Sequence, residues 1–192
     1  GKTLALGAMM RNTGRLYAFD TSAHRLDALK PRLARSGLSN VHPAALAHER
    51  DDRVKRLAGK IDRVLVDAPC SGLGTLRRNP DLKWRQNPQD VEEMARKQAS
   101  ILDSAARLSK PGGRLVYATC SVLPQENEEI AAQFSAKHPE FTPLPVAELL
   151  QGLKVPEPAR LCAVGPSGDE YLRLWPHLHA TDGFFAAVWQ KR

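Results

Sequence analysis

Residues 61–75 read Ile61-Asp-Arg-Val-Leu-Val-Asp67-Ala-Pro-Cys70-Ser-Gly-Leu-Gly-Thr75 and indicate an α/β protein. The β-branched and aliphatic residues at 61–66 predict a strand buried in a parallel sheet. A proline and two glycines follow Asp67 and predict a loop. Open α/β sheets bind ligands beyond the carboxyl ends of their strands, so Asp67 and Cys70 are candidate functional residues. The alternative is an ordinary strand exit with a packed cysteine, because free cysteine is among the most buried residue types.

A second strand with a cysteine near its end follows at residues 113–121, Gly-Arg-Leu-Val-Tyr-Ala-Thr-Cys-Ser. Before it, Asn87-Pro88 is a typical helix start, and apolar residues at helical spacing predict a helix as far as Lys110. A helix of this length suits a crossover between the two strands. The helix after it, residues 125–138, is predicted to carry Glu126 among the acids of its first turn. If the strands are sheet neighbours, both thiols emerge at one edge and form a reactive cluster with the carboxylate.

The composition favours a single α/β domain with a polyanionic partner. The chain has 192 residues, and no apolar run approaches the ~20 residues that span a bilayer. Lysine and arginine total 28 against 21 acidic residues, a net charge of +7, and the basic residues cluster. Three widely spaced cysteines fit neither a disulfide framework nor a zinc site, which predicts reduced thiols, no metal and a cytoplasmic location. The abrupt start at Gly1, without a signal peptide, predicts that the natural N-terminus lies upstream.

Two features near the N-terminus are candidates for cofactor binding. Gly1-Lys2-Thr3 is typical of the end of a glycine-rich loop leading into a helix, but alone it does not define a phosphate-binding P-loop. A strand, residues 14–20, ends on Asp20, and an acid at this place in dinucleotide-type sheets accepts hydrogen bonds from ribose hydroxyls. The alternative is a local role at the start of the next helix, residues 22–36.

Residues 76–85, Leu-Arg-Arg-Asn-Pro-Asp-Leu-Lys-Trp-Arg, form a basic segment directly after the first cysteine loop. Their cations, together with a tryptophan and an interrupting proline, predict an exposed loop. Arg77, Arg78 and Lys83 would bind phosphates while the indole of Trp84 stacks on a base. The alternative is that Trp84 packs back on the domain.

Clustered thiols serve several kinds of chemistry. No histidine lies near either cysteine in the sequence, which gives a Cys–His hydrolase little support, and a redox pair is more often Cys-x-x-Cys. A third kind is addition to a pyrimidine. A thiolate adds to carbon 6 of cytosine, carbon 5 takes a methyl group, and loss of the proton at carbon 5 lets the thiol leave. This chemistry needs a nucleophilic thiol, an acid at nitrogen 3 and a group that assists elimination, but by itself it casts either cysteine as the nucleophile.

Four motifs, in order, resemble those of the Sun family of S-adenosylmethionine-dependent RNA cytosine-5 methyltransferases: Asp67-Ala-Pro-Cys70-Ser-Gly, Arg77-Arg-Asn-Pro-Asp-Leu-Lys-Trp84, Tyr117-Ala-Thr-Cys120-Ser and Asp182-Gly-Phe-Phe185. The resemblance covers essentially the whole chain and is closest to the bacterial small-subunit rRNA enzymes of the Fmu/RsmB type. It implies that Cys120 is the nucleophile, that Cys70 assists product release, and that Asp67 contacts the methyl donor or the target base.

The same resemblance implies an RNA substrate, of the small-subunit rRNA class, and S-adenosylmethionine as the cofactor, contacted by Gly1, Lys2, Asp20 and Asp67. The implied fold is a Rossmann-like class I methyltransferase sheet, mostly parallel with an antiparallel C-terminal strand. Residues 1–192 are then the C-terminal part of the catalytic domain, and the family's first strand and most of its cofactor loop precede Gly1. The family's acid near the adenine has no counterpart at residues 43–46.

Two other functions stay open at this point. A catalytically silent RNA-binding domain is favoured by the missing cofactor loop and opposed by the presence of both thiols and Asp67. A DNA cytosine-5 methyltransferase also uses a Pro-Cys thiol, there as the nucleophile, but the second thiol and the basic segment favour RNA. The sequence leaves the oligomeric state open.

Overall fold

Two parallel strands and two helices make up the first of the two units into which the computed structural model divides residues 1–192. In this unit, Gly1–Arg53, the elements in chain order are Lys2–Met9 (α1), Leu16–Asp20 (β1), Ala23–Ser36 (α2) and Val41–Ala45 (β2). β1 and β2 are parallel over their whole length. Ser22 caps α2 by accepting a hydrogen bond from the backbone N–H of Arg25. Gly37, with φ of 68°, ends the helix in the left-handed conformation that glycine favours.

The second unit, Val54–Arg192, is built around a six-stranded sheet, and a single helical turn, Asp52–Lys55 (α3), falls at the boundary between the units. The strands are Ile61–Asp67 (β3), Ser109–Thr119 (β4), Phe141–Pro143 (β5), Cys162–Val164 (β6), Glu170–Leu174 (β7) and Phe184–Lys191 (β8). The helices are Leu82–Arg85 (α4), Pro88–Ala106 (α5), Glu128–Lys137 (α6), Val146–Gly152 (α7) and Pro176–His179 (α8). Three short 3-10 turns lie at Leu73–Thr75, Pro124–Glu126 and Pro158–Leu161.

The two cysteine-bearing strands, β3 and β4, are parallel neighbours in this sheet. The strand order is β3-β4-β8-β7-β6, and β5 also pairs with β8. In the parallel pair, Val64 lies opposite Leu115 and Asp67 opposite Ala118. All pairings of the C-terminal strand β8, with β4, β5 and β7, are antiparallel. The predictions of an α/β fold, of neighbouring cysteine-bearing strands and of an antiparallel C-terminal strand are therefore confirmed.

The helix α5 is the crossover between β3 and β4. Asn87 and Asp90 form a capping box, in which each side chain accepts a hydrogen bond from the backbone N–H of the other residue. The predicted extension of this helix to Lys110 is wrong: the helix ends at Ala106, and Lys110 already belongs to β4. The Pro-Gly-Gly sequence that follows Lys110 lies within β4. It bends the strand, with Gly112 at φ 73° beside an irregular stretch of the pairing with β3.

The core of the second unit lies between its sheet and the helices α5 and α6. Its most deeply buried apolar side chains are Leu102, Leu115, Tyr117, Phe185 and Trp189. β3 is an edge strand of the sheet, and Leu65 on it is 41% exposed. No helix combines the length and the apolar character that crossing a bilayer requires.

Candidate active site

The two thiols lie side by side at the carboxyl edge of the β3–β4 pair. Cys120 directly follows β4, and Cys70 comes three residues after the end of β3. Because these strands are parallel neighbours, the two loops leave the sheet together, and the Sγ atoms of Cys70 and Cys120 are 3.4 Å apart. Both side chains are partly buried. The prediction that both thiols emerge at one edge is confirmed.

The two thiols share a hydrogen bond in which either sulfur can be the donor. The hydrogen bond with Cys120 and burial both raise the pKa of Cys70 above that of an ordinary thiol. Cys70 therefore keeps its proton near neutral pH.

Asp67 is the last residue of β3 and is exposed at the same edge. The next residue, Ala68, donates a backbone hydrogen bond of 2.9 Å to Ala118 of β4, which keeps the two strands together up to the start of the cysteine loops. No group of three or more histidine, cysteine, aspartate or glutamate side chains is placed to hold a metal ion. The chemical groups at this edge are thus two thiols and a carboxylate.

Two glycines allow three loops to pack closely together beside Cys120. The backbone N–H of Gly74 donates to the carbonyl oxygen of Cys120 (2.9 Å), and the N–H of Gly183 donates to the carbonyl oxygen of Gly74 (2.8 Å). A Cβ atom on Gly74 would lie 2.5 Å from the carbonyl oxygens of both Cys120 and Gly183. Only glycine allows this contact, which joins the loop after β3, the loop after β4 and the segment before β8.

A buried carboxylate binds both cysteine loops. Glu126 is 0% exposed and belongs to the 3-10 turn before α6, so its predicted place in the first turn of that helix is wrong. Its carboxylate accepts hydrogen bonds from the backbone N–H of Ser71 (2.7 Å), the hydroxyl of Ser71 (2.6 Å), the hydroxyl of Ser121, and Nε2 of Gln98 (3.1 Å). Sequence reasoning missed this role, because two of the three donor residues, Ser71 and Gln98, are 55 and 28 residues away along the chain.

A buried arginine supports the loop that follows Cys120. Arg173 on β7 is 3% exposed and donates from Nη2 to the carbonyl oxygen of Val122 (2.9 Å). Its Nε lies 3.2 Å from Oε1 of Glu128, and its guanidinium lies 4.2 Å from the centre of the Trp175 ring. Burial lowers the pKa of Arg173, and the nearby Glu128 opposes that shift. The arginine remains charged and binds the backbone of the loop that follows Cys120.

The basic segment, residues 76–85, is exposed on the surface of the same unit. Trp84 is 81% exposed, so the alternative in which it packs back on the domain is wrong. Lys83 Nζ lies 4.8 Å from the centre of its ring. Arg77 is exposed, and Arg78, which is 65% exposed, forms an ion pair with Asp182. The segment ends in the turn α4 and presents cations beside an open indole face.

In the first unit, Asp20 and Gly1 line one cavity of about 360 Å³, together with Phe19, Arg25 and Leu26. Oδ1 of Asp20 accepts a hydrogen bond from the backbone N–H of Ser22 (2.8 Å), and Oδ2 lies 3.8 Å from Nη1 of Arg25. The local role at the start of α2 is therefore present, and it uses one carboxylate oxygen. Lys2 is exposed and is not among the residues that line the cavity.

Residues 1–190 match the model of the family described as 16S rRNA methyltransferase RsmB/F. The chain belongs to this family. The resemblance drawn from the four sequence motifs is thereby confirmed. Over 193 residues the chain is 35% identical to the probable ribosomal RNA small subunit methyltransferase B of Bacillus subtilis, with 100% of the chain and 41% of that protein aligned. This RsmB/F-family chain thus spans about two fifths of the length of that curated relative.

Solved structures with a similar fold are found. The crystal structure of PH0851 has a TM-score of 0.85 and 40% identity, and the match covers 100% of this chain and 40% of that one. The structure of NSun6 from Pyrococcus horikoshii with SFG has a TM-score of 0.80 and 28% identity, covering 100% and 45%. The RsmB/F-family chain therefore has the Rossmann-like methyltransferase fold that its motifs predict.

Proposed function

We propose that the protein transfers a methyl group from S-adenosylmethionine to carbon 5 of a cytosine in small-subunit rRNA, through a covalent adduct with Cys120. The observation that carries this proposal is the thiol pair: two sulfur atoms 3.4 Å apart at the carboxyl ends of parallel strands. The names of the family and of its relatives, which are rRNA small subunit methyltransferases, support an rRNA substrate.

In the proposed reaction, Cys120, Asp67 and Cys70 have different roles. The Cys120 thiolate forms a bond to carbon 6, and the electron pair of the 5,6 double bond moves into the ring and makes carbon 5 nucleophilic. Asp67 contacts the target base, holding nitrogen 3, or contacts the methyl donor. After methylation, a general base accepts the proton from carbon 5, and the electron pair of that carbon–hydrogen bond re-forms the 5,6 double bond. The sulfur of Cys120 then leaves with the electrons of its bond to carbon 6, a step that Cys70 assists.

The first unit fits a nucleoside cofactor. A carboxylate, five apolar side chains, two arginines and the N-terminal end of a helix line its cavity of about 360 Å³, and carboxylates accept hydrogen bonds from ribose hydroxyls. The solved relative with SFG, an analogue of S-adenosylmethionine, supports the identity of the cofactor. Gly1 and Asp20, which line the cavity, would hold it together with Lys2, which follows Gly1 outside the lining, and bound S-adenosylmethionine would supply an electrophilic methyl group.

The basic segment is the proposed RNA contact. Arg77, Arg78 and Lys83 provide positive charge, and the exposed indole of Trp84 offers a stacking surface for a base. Reduced thiols and an rRNA substrate favour a cytoplasmic location. β3 ends the strand order of its sheet, and an edge strand leaves backbone groups that a further strand could pair with, which supports the proposal that residues 1–192 are part of a catalytic domain.

Nucleoside analysis tests this function directly. The full-length protein is incubated with small-subunit rRNA and S-adenosylmethionine that carries a deuterated methyl group, and the digested RNA is examined by mass spectrometry. We expect deuterated 5-methylcytidine. A label on another position of cytidine would contradict carbon-5 chemistry. Binding of rRNA without any label would favour a silent RNA-binding domain, and labelling of DNA alone would favour a DNA methyltransferase.

The cofactor site has its own test by calorimetry. Asp20→Ala in the full-length protein should weaken S-adenosylmethionine binding by several kcal/mol, because each of two lost charge-assisted hydrogen bonds is worth ~1.5–3 kcal/mol. Asp27→Ala is the matched control, since Asp27 lies on α2 and pairs at the surface with Lys30. Equal cofactor affinity in the two variants would remove Asp20 from the site.

A further inference from the structure

The residues on either side of each catalytic thiol are bound by side chains from elsewhere in the second unit. Before Cys70, the carbonyl oxygen of Pro69 accepts a hydrogen bond from Nε2 of Gln98 (2.8 Å), and after it the N–H of Ser71 donates to Glu126 (2.7 Å). The backbone at Cys70 is therefore held from both sides, and the same amide group of Gln98 also donates to Glu126.

The second cysteine is bracketed in the same way by the neighbour of Glu126. Before Cys120, the hydroxyl of Thr119 donates to Oδ1 of Asn127 (2.6 Å), and after it the carbonyl oxygen of Ser121 accepts from Nδ2 of Asn127 (3.0 Å). The hydroxyl of Ser121 donates to Glu126. Two consecutive buried residues, Glu126 and Asn127, thus hold the backbone at both thiols.

We infer that Glu126 is a positioning residue, which fixes the distance between Cys70 and Cys120 by joining Ser71 and Ser121 on one carboxylate. A carboxylate suits this role because it is an acceptor only and takes four donors on its two oxygens. A serine directly follows each cysteine, so one carboxylate binds both loops, with two hydrogen bonds from Ser71 and one from Ser121. Replacement by alanine leaves several buried donors without an acceptor and frees the two loops from each other.

The inference rests on the proposed function for its catalytic consequence. Attack at carbon 6 and elimination at carbon 5 take place on adjacent atoms of one ring, so the sulfur atoms must keep their separation through the reaction. A misplacement of about 1 Å costs roughly 100-fold in rate. Glu126 touches neither thiol in the hydrogen bonds described, so its loss should lower kcat and leave KM for RNA nearly unchanged.

The test measures thiol proximity independently of methylation. The full-length protein is treated with dibromobimane, which becomes fluorescent when it bridges two thiols, and the bridged peptides are identified by mass spectrometry. Glu126→Ala should bridge Cys70 to Cys120 at least about 10-fold more slowly and lower kcat by about 100-fold. Glu126→Gln should recover most of both, because its amide oxygen accepts two hydrogen bonds and its NH₂ group donates to the serine hydroxyls.

Three further variants make the outcome decisive. Glu129→Ala, on the exposed face of α6, is the control for loss of an acid and should behave like the wild type. Cys70→Ala should give no fluorescence from this pair. Should Glu126→Ala fail to fold, Ser121→Ala, which removes one of the four donors, takes its place and should slow bridging to a smaller degree.

Wild-type bridging in Glu126→Ala, or in Ser121→Ala where the former is unfolded, would overturn the inference. Equal loss in Glu126→Gln and Glu126→Ala would also overturn it, because charge rather than hydrogen-bond geometry would then be responsible. If bridging depends on Glu126 but the wild type makes no 5-methylcytidine, the proposed function fails while the positioning role stands.

Discussion

The thiol pair and the basic segment are neighbours in the sequence of the second unit, and their side chains are held in different ways. Around the thiols, Gly74, Glu126 and Arg173 are buried and bind the backbone of the cysteine loops. In the basic segment, Trp84 is 81% exposed. Covalent chemistry needs fixed atoms, whereas binding to a phosphate backbone needs accessible charge and tolerates motion. This contrast predicts that substitutions at or around the thiols change the reaction rate and the stability of the fold, whereas substitutions in the basic segment change only the affinity for RNA.

The largest effect on stability is expected at the contact of the two glycines. Gly74→Ala places a methyl group 2.5 Å from two backbone oxygens, which a side-chain rotation does not relieve. We expect a loss of about 1–3 kcal/mol or more in the free energy of unfolding, measured by chemical denaturation. Gly152→Ala is the control, because nothing lies within 4 Å of the added methyl group at the end of α7. Equal stability of the two variants would show that the loops are not closely packed.

A substitution at Trp84 should affect RNA binding without affecting the fold. Trp84→Ala in the full-length protein removes a stacking surface worth ~1–3 kcal/mol per base, so the affinity for rRNA falls while the melting temperature is unchanged. The salt dependence of binding should stay the same, because no charge is removed. A fall in melting temperature instead would place Trp84 among the packed residues and weaken the contrast between the regions.

The arginines of the basic segment should show the complementary behaviour. Arg77→Ala with Arg78→Ala should lower the salt slope of single-strand RNA binding by roughly 0.7 for each phosphate that the protein no longer neutralises. Arg78 is 65% exposed and its partner Asp182 is 23% exposed, so the ion pair is largely solvated on the arginine side; because surface pairs contribute about 0–1 kcal/mol, the melting temperature should fall only slightly. Arg160→Ala, an exposed arginine paired with Glu157, is the control. An unaltered affinity and slope would exclude this segment as the RNA contact.

The pH dependence of alkylation should separate the thiols from each other. Burial raises the pKa of Cys162 to about 11, and the Cys120 hydrogen bond together with burial raises that of Cys70. Both groups hold their protons more tightly in the folded state. The stability that they contribute is therefore complete below the unfolded thiol pKa of about 8.5 and declines as the pH rises above it.

Iodoacetamide labelling near pH 8 should be slow at both thiols, and Cys120→Ala should speed the labelling of Cys70 while leaving the labelling of Cys162 unchanged. No change at Cys70 would show that the two thiols are not coupled.

The sequence predicted those features of the fold that depend on local sequence patterns. The run at residues 61–66 and the helix that starts at Asn87 predicted a strand and a crossover suited to joining the two cysteine-bearing strands, and the structure shows that these strands are parallel neighbours, which brings the thiols together. The sequence did not predict Glu126 as a shared acceptor or the contact of Gly74 with Gly183. Both depend on partners far apart in the chain, Ser71 for the carboxylate and the segment before β8 for the glycine. Local sequence patterns indicate which face of a helix or strand is buried, but they do not indicate contacts between residues that are far apart in the chain.

The roles of the two thiols are tested most directly by trapping the covalent adduct. The full-length protein, its Cys120→Ala variant and its Cys70→Ala variant are incubated with rRNA and S-adenosylmethionine and separated by denaturing gel electrophoresis. With Cys120→Ala we expect no methylation and no adduct, because carbon 6 is not attacked. With Cys70→Ala we expect attack and methyl transfer without efficient elimination, so that an RNA–protein adduct accumulates. RNA that contains 5-fluorocytosine should trap the wild type in the same way. An adduct that forms with Cys120→Ala and is absent with Cys70→Ala would contradict this assignment and make Cys70 the nucleophile.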